Sequence, residues 1–278
     1  MTGFGDRLAA AVGERESQIV LGLDPDPARV AGGAAGAERF CLDVLAAAAE
    51  QCVAAKPQLA CFERFGADGW KAFETVAAAA GQAGLLVIAD AKRGDIDATA
   101  RAYAEAFLRD PIDALTVNPM LGGDAVDPFR IAAEESGRGL FVLVRTSNPG
   151  AADLQDLPLA QGGLWHEAVA RLVAEWGAPS VGASGLSAVG AVVGATVPHR
   201  LAALRALMPH QAFLLPGVGV QGGRPEQLGA AFGGRAAGAL VSASRSIIYA
   251  DDPAGAAAGL RQLVWTASRS ATAQQVVD

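Results

Sequence analysis

Residues 84–100 read GLLVIADAKRGDIDATA. An apolar run, Leu85 to Ile88, breaks at Ala89 into Asp90, Lys92, Arg93, Asp95 and Asp97. A continuous apolar run of this length suits a parallel strand covered on both faces. The charges then fall where that strand surfaces. Asp90 and Lys92 are two residues apart, so on an extended chain they point to the same side. Gly94 permits a sharp turn before Asp95. A solvated loop needs no such ordering of opposed charges, whereas an active site does.

The same pattern recurs in both directions along the chain. Short apolar runs at 18–23 (QIVLGL), 52–57 (CVAAKP), 85–90, 113–118 (DALTVN), 139–145 (GLFVLVR), 188–196 (AVGAVVGAT), 212–217 (AFLLPG) and 238–244 (GALVSAS) predict eight strands. Between them, helical spacing predicts helices at 37–51, 66–82, 97–109, 124–136, 162–176, 197–208, 224–233 and 254–268, with Asp124, Pro225 and Asp252-Pro253 as starting signals. Eight strand–helix repeats in about 250 residues is the count of a (β/α)8 TIM barrel. A doubly wound sheet more usually has fewer strands. No proline-rich or serine-rich linker divides the chain, so residues 1–278 are expected to form one domain.

A barrel of this kind carries its chemistry just beyond the C-terminal ends of its strands. The unusual polar residues fall there: Asp24, Lys56, Asp90, Lys92, Asn118, Ser147, the loop PGVGVQGG at 216–223, and Arg245. Lys56 ends the strand before Asp90, so Lys56, Asp90, Lys92 and Asp95 form a set that can alternate in sign. Its positive charges keep the carboxylates ionised and the carboxylates keep Lys92 protonated. A protonated lysine beside a fixed carboxylate suits delivery of a proton to a forming carbanion. A structural ion-pair network would explain Asp-x-Lys alone. The further Asp95, the second lysine and the glycine loop favour catalysis.

Glycines 217, 219, 222 and 223 let successive N–H groups turn inward as an anion nest. Arg245 follows the next strand, and loops seven and eight are the usual phosphate site of this architecture. Ser147 and Asn148 lie in RTSNPG, where ordinary turn chemistry also explains the residues. Asp24 either caps a turn or accepts from a ligand hydroxyl.

Composition excludes several classes. The 278 residues carry a net charge of −7 with no basic stripe, which argues against nucleic acid as a partner. No stretch approaches the roughly 18 apolar residues of a membrane span, and the first residues lack the basic start and apolar core of a secretory signal. A cytoplasmic protein is expected. Cys41, Cys52 and Cys61 show no CxxC spacing and read as buried reduced thiols. His166, His199 and His210 show no ligand spacing and are expected at the surface or at helix ends, so no metal site is expected.

The motifs DAKRGDIDAT, VNPMLGGDAVDPF, RTSNPGA, LLPGVGVQGG and SASRSIIYA, in this order over about nine-tenths of the chain, resemble the orotidine 5′-phosphate decarboxylase family, specifically its longer bacterial type-2 branch. The resemblance implies a homodimeric barrel that decarboxylates orotidine 5′-phosphate to UMP, the last step of pyrimidine nucleotide synthesis, without metal or cofactor. It implies that Asp24 accepts from the ribose hydroxyls. Lys56, Asp90, Lys92 and Asp95 become the charge array, with Lys92 the proton donor to C6. Asp95, Ile96 and Thr99 reach into the site of a partner subunit. Ser147 bonds the pyrimidine with Pro216 nearby, and Gln221 and Arg245 bind phosphate, helped by amides near Gly223 and Ser244.

Two other readings compete. Related barrels with an Asp-x-Lys pair, the keto-gulonate phosphate decarboxylases and hexulose phosphate synthases, perform metal-assisted chemistry and need an acid late on strand two. Lys56 there disfavours a cation. A catalytically silent barrel that binds nucleoside monophosphates would keep the phosphate loop but lose the charge array. Glu63 and Arg64 suggest only a surface salt bridge, Asn118 either lines the site or ends its strand, and the 150–187 connection and the tail beyond Arg269 do not align with shorter family members.

Overall fold

The computed structural model describes residues 2–218 and 222–275. Eight parallel strands, β1 (Ile19–Leu23), β2 (Ala54–Pro57), β3 (Leu86–Arg93), β4 (Ala114–Val117), β5 (Gly139–Arg145), β6 (Val189–Val193), β7 (Phe213–Pro216) and β8 (Ala239–Ala243), pair in chain order and close when β8 meets β1. All eight runs expected to be strands are strands, and the fold is a (β/α)8 TIM barrel.

Alternation within each strand builds two cores. Ile19, Leu21 and Leu23 of β1, Val87 and Ala89 of β3, and Leu140, Val142 and Val144 of β5 pack outward under the helices. Val20, Ala54, Ile88, Ala114, Phe141, Val192, Leu214 and Leu240, one from each strand, pack together inside the barrel. Such inward layers make the barrel interior a packed core rather than a pore. The helix Phe4–Arg15 adds Phe4, Leu8 and Val12 to this inner cluster. Phe4 meets Phe141 edge-on at 6.0 Å, and a side chain at Gly139 would overlap its ring.

The inward positions two residues further along are where the barrel changes character. Two beyond Ala54, Ile88, Ala114 and Leu240 stand Lys56, Asp90, Thr116 and Ser242, all buried. The apolar layer therefore forms the floor under a polar layer at the C-terminal mouth.

The helix expected at 66–82 forms with those bounds, Gly66–Gln82, and most others form with shifted ends: Gly33–Ala48, Asp97–Phe107, Gly123–Glu135, Trp165–Gly177, Pro198–Leu207 and Pro253–Gln275. Asp252 caps the last of these by accepting from Gly255 N at 2.9 Å. The expected helix at 224–233 is instead a 3-10 turn, Pro225–Gln227, and a short helix, Gly229–Phe232. Pro225 begins the turn, and Gly233 at φ 56° ends the helix in the left-handed conformation. Further short helices stand at Leu59–Glu63, Ala152–Gln155 and Arg245–Ile248.

Cys41 and Cys52 are buried free thiols and Cys61 is half-buried, with desolvation raising the Cys52 pKa to about 12 and that of Cys61 to about 11. His166 lies at a helix end, one of the two placements expected of it, but is not at the surface. It is the second residue of the helix Trp165–Gly177 and is buried, with its Nδ1 2.6 Å from Gln155 O and 3.2 Å from Asp156 Oδ1. Among the described residues no helix is long and apolar enough to cross a membrane.

Candidate active site

The mouth of the barrel holds a cleft of about 410 Å³, lined among others by Asp24, Lys56, Gln58, Asp90, Lys92, Thr116, Ser147, Pro216, Ser244 and Arg245. Asp90 is its electrostatic centre. Lys56 Nζ lies 2.6 Å from Asp90 Oδ2 and Lys92 Nζ 2.5 Å from Oδ1. Gln58 Nε2 donates to Oδ2 at 3.1 Å, and Thr116 Oγ1 lies 3.2 Å from Oδ1. One carboxylate thus receives two ammonium groups and two neutral donors.

Lys56 and Asp90 are both buried, whereas the Lys92 side chain is 44% exposed toward the cleft. Burial alone pushes the Asp90 carboxyl up, but the adjacent Lys56 and Lys92 charges outweigh it and hold Asp90 well below the usual carboxylate range. Burial likewise pulls Lys56 down, and the carboxylates of Asp90 and Asp24 more than reverse this, so its ammonium is held above the ordinary lysine value. The buried pair is therefore fixed in its charged form.

The backbone positions Lys92 irregularly. The β3–β4 register shifts between Ala89 and Arg93, and Lys92 adopts φ 50°. Its N–H donates to Thr116 Oγ1 at 2.9 Å. A left-handed non-glycine residue here is local strain of the kind that collects at functional sites.

Around this centre, Asp24 Oδ1 is buried with no protein hydrogen-bond partner, as is Ser244 Oγ. Buried polar atoms are normally paired, so an unpaired acceptor lining a cleft is a place for a ligand hydroxyl. Pro216, Gly217, Val218, Ser244, Arg245 and Ser246 form the wall between β7 and β8. Gly217 and Gly222 are left-handed at φ 98° and 94°. Gly223 does not line the cleft; its N–H donates to Gly217 O at 3.0 Å, so it closes the loop rather than offering its own amide. Gln221 lies outside the described residues.

Three members of the expected charge array meet, and the fourth does not. Asp95 accepts from Ile96 N at 2.8 Å, and neither it nor Ile96 nor Thr99 lines the cleft of its own chain. Ile96 and Thr99 are exposed. Asn118 lies outside the cleft and accepts from Met120 N at 3.1 Å, so it shapes the turn after β4. Glu63 pairs with Arg93, and Arg64 stacks 5.9 Å from the Phe65 ring. Gln58, Thr116, Thr146 and Ser242 line the cleft without having been singled out from sequence. For Gln58, Thr116 and Ser242 the signal was the inward register: Gln58 is two residues beyond Lys56, Thr116 two beyond Ala114 and Ser242 two beyond Leu240.

Among the described residues no group of three or more His, Cys, Asp or Glu side chains is placed to hold a metal ion.

Residues 17–260 match the family described as "Orotidine 5′-phosphate decarboxylase / HUMPS family". The chain is 47% identical over 240 residues to orotidine 5′-phosphate decarboxylase of Deinococcus radiodurans, covering 85% of each chain. It is 41% identical over 271 residues to the Rhodopirellula baltica enzyme of that name, covering 90% of this chain and 89% of the other. The solved structure of Leishmania donovani OMP decarboxylase superposes with a TM-score of 0.84 at 36% identity, covering 96% of this chain and 99% of that one. With a barrel closed in chain order and a lysine-clamped aspartate at its mouth, the chain belongs to the orotidine 5′-phosphate decarboxylase / HUMPS family.

Proposed function

We propose that this protein is an orotidine 5′-phosphate decarboxylase of the type-2 branch, a single cytoplasmic barrel domain over residues 1–278 that releases CO2 from orotidine 5′-phosphate to give UMP. The observation that carries this reading is the Asp90 carboxylate gripped by Lys56 and Lys92 inside a cleft whose far wall is the β7–β8 loop pair.

The chemistry follows from the charges. The C6–carboxylate bond breaks, CO2 leaves, and the bonding electron pair remains on C6 in an sp² orbital that the ring cannot delocalise. Stabilisation must then be electrostatic. The Lys92 ammonium, held by Asp90 and open to the cleft, faces the developing negative charge and then transfers a proton to C6. The product is UMP, and the neutral amine regains a proton from solvent. Asp90, kept ionised, stands beside the departing carboxylate and disfavours the ground state. Phosphate binding at Arg245 and Ser244, and ribose binding at Asp24, supply remote binding energy for orientation.

Lys56 separates this reading from the metal-dependent sugar-phosphate chemistry of related barrels. An ammonium buried against Asp90 stands where those reactions need an acid for the cation. Activity is expected to survive EDTA.

Asp95, Ile96 and Thr99 are assigned to the site of a second copy. Support comes from their position outside their own cleft and from three large exposed apolar side chains after β3 and β4, namely Ile96, Met120 and Leu121. Apolar side chains grouped at one rim favour a covering partner.

Incubation of the purified protein with orotidine 5′-phosphate tests the activity. Loss of substrate absorbance with stoichiometric UMP is expected. A folded protein that leaves the substrate unchanged overturns the reading.

A further inference from the structure

Behind Ser147, the connection that leaves β5 folds back onto the strand end. Arg145, itself buried, donates from Nε and Nη2 to the two carboxylate oxygens of Asp156, each at 3.0 Å. His166 Nδ1 lies 2.6 Å from Gln155 O. A carbonyl only accepts, so the proton sits on Nδ1. These bonds pin residues 155 and 156 beneath the loop.

Gln155 then addresses Thr146. Its Oε1 accepts from Thr146 N at 2.8 Å, and its Nε2 donates to Thr146 Oγ1 at 3.0 Å. A main-chain N–H is a fixed donor, which sets the orientation of the Gln155 amide. The Thr146 hydroxyl proton has two acceptors within reach, Asn148 Oδ1 at 2.7 Å and the already occupied Gln155 Oε1 at 3.2 Å. The shorter bond goes to Asn148. Its oxygen is thereby engaged, and among the described residues its Nδ2 has no protein partner.

The consequence concerns what the cleft can read. Ser147 and Asn148 both line it. A serine hydroxyl rotates to donate or accept as the ligand demands, so the Ser147 hydroxyl by itself cannot tell a ring carbonyl from a ring amino group. An amide whose oxygen is locked can. A pyrimidine-2,4-dione offers carbonyl acceptors to that Nδ2, whereas a 4-aminopyrimidine offers a donor against it.

We propose that Gln155, acting through Thr146, locks Asn148 as a hydrogen-bond donor and so makes Asn148 a residue that selects a carbonyl-bearing pyrimidine nucleotide over its 4-amino counterpart. This rests on the reading that the cleft takes a pyrimidine nucleotide with its base at the β5 loop. Gln155 is a positioning residue, since it does not line the cleft.

The test compares the dissociation constants of UMP and CMP by calorimetry, together with kcat and KM for orotidine 5′-phosphate. The wild type is expected to bind UMP at least about tenfold more tightly, since a mismatched donor leaves a polar group unpaired. Gln155→Glu keeps the size and the acceptor for Thr146 N but cannot donate to Oγ1. The Thr146 proton then turns to the new carboxylate, and Asn148 is free to flip. The UMP preference is expected to narrow severalfold and KM to rise, with kcat nearly unchanged. Thr146→Val breaks the relay at its middle, should narrow the preference similarly, and decides the matter if Gln155→Glu does not fold. A merely structural role would weaken both nucleotides equally and leave their ratio unchanged, and that result refutes the proposal. So does a wild type that converts orotidine 5′-phosphate yet binds CMP as well as UMP. A wild type that neither binds UMP nor turns over substrate defeats the proposed function itself, and the relay falls with it.

Discussion

Lys92 reaches Asp90 from the same strand, its ammonium 2.5 Å from Oδ1, on a backbone bent into the left-handed region at φ 50°. Simple strand alternation would already place both side chains on one side. The break in the β3–β4 register adds a second effect, turning the Lys92 N–H toward Thr116 Oγ1 and leaving its side chain partly exposed in the cleft. Lys92→Ala is expected to lower turnover by about 10³-fold or more, on the scale of lost transition-state electrostatics. Its thermal midpoint should stay close to wild type, because the lysine side chain is half exposed. Lys92→Gly should be equally inactive yet about 1 kcal/mol more stable than Lys92→Ala, since glycine tolerates positive φ. Steady-state kinetics and urea unfolding of the two variants check both expectations. Near-wild-type turnover in either variant removes Lys92 from the chemistry.

The barrel was legible in sequence because its strands are buried on both faces and read as unbroken apolar runs. Asp90 and Lys92 were legible because charge at the end of such a run is conspicuous. Thr116 and Gln58 were not, since a threonine in DALTVN or a glutamine after Lys-Pro looks ordinary until the closed register turns it inward. The helix Phe4–Arg15 escaped notice for a similar reason. Its Phe4, Leu8 and Val12 stripe is short, and its partner is the inner layer of the barrel, a surface that exists only after closure. Asp95 drew notice in sequence as the acid beyond Gly94, but its assignment to a partner's site came from family likeness alone, because no feature of a single chain brings it to the cleft.

Removing the carboxylate between the two lysines should damage stability as well as activity. In Asp90→Asn, Lys56 keeps its buried position but loses its counter-ion, and Lys92 loses the group that holds it. Breaking a buried pair from one side costs about 3–5 kcal/mol. Urea denaturation should show that loss. A double variant, Lys56→Met with Asp90→Leu, should recover much of it while remaining inactive, because neither member of the buried pair then remains as an uncompensated charge. Equal instability of the single and double variants would mean that packing rather than charge sets the cost.

The pH dependence of stability follows from the directions of the shifts. Asp90 is held below its unfolded value of about 3.9, so its contribution is full above that value and is lost as pH falls through the lower folded one. Lys56 is held above its unfolded value of about 10.4, so its contribution is full below that value and fades as pH rises through the higher folded one. Between these limits the pair adds no slope. His166 behaves differently: burial lowers its pKa, so the unfolded chain takes up the proton first, and stability falls as pH drops below about 6.5. His166→Asn, whose amide can stand in for the Nδ1–H donor, should flatten the stability profile just below that pH. A slope unchanged by the substitution would place the titrating group elsewhere.

The proposed sharing of sites between two copies has a distinct signature in mixed dimers. Asp95 accepts only a local N–H from Ile96, beside an exposed apolar rim, so its carboxylate is available to a neighbouring chain. If it completes the partner's cleft, Lys92→Ala homodimers lack the ammonium in both sites and Asp95→Ala homodimers lack the carboxylate in both. A mixed dimer places both lesions in one site and leaves the other whole. Random exchange makes half the dimers mixed, so activity should return to about a quarter of the wild-type value. If Asp95 instead acts within its own chain, each site of the mixed dimer carries one lesion and nothing is regained. Mixing the variants, verifying subunit exchange by mass-tagged chains, and assaying turnover separates the two arrangements.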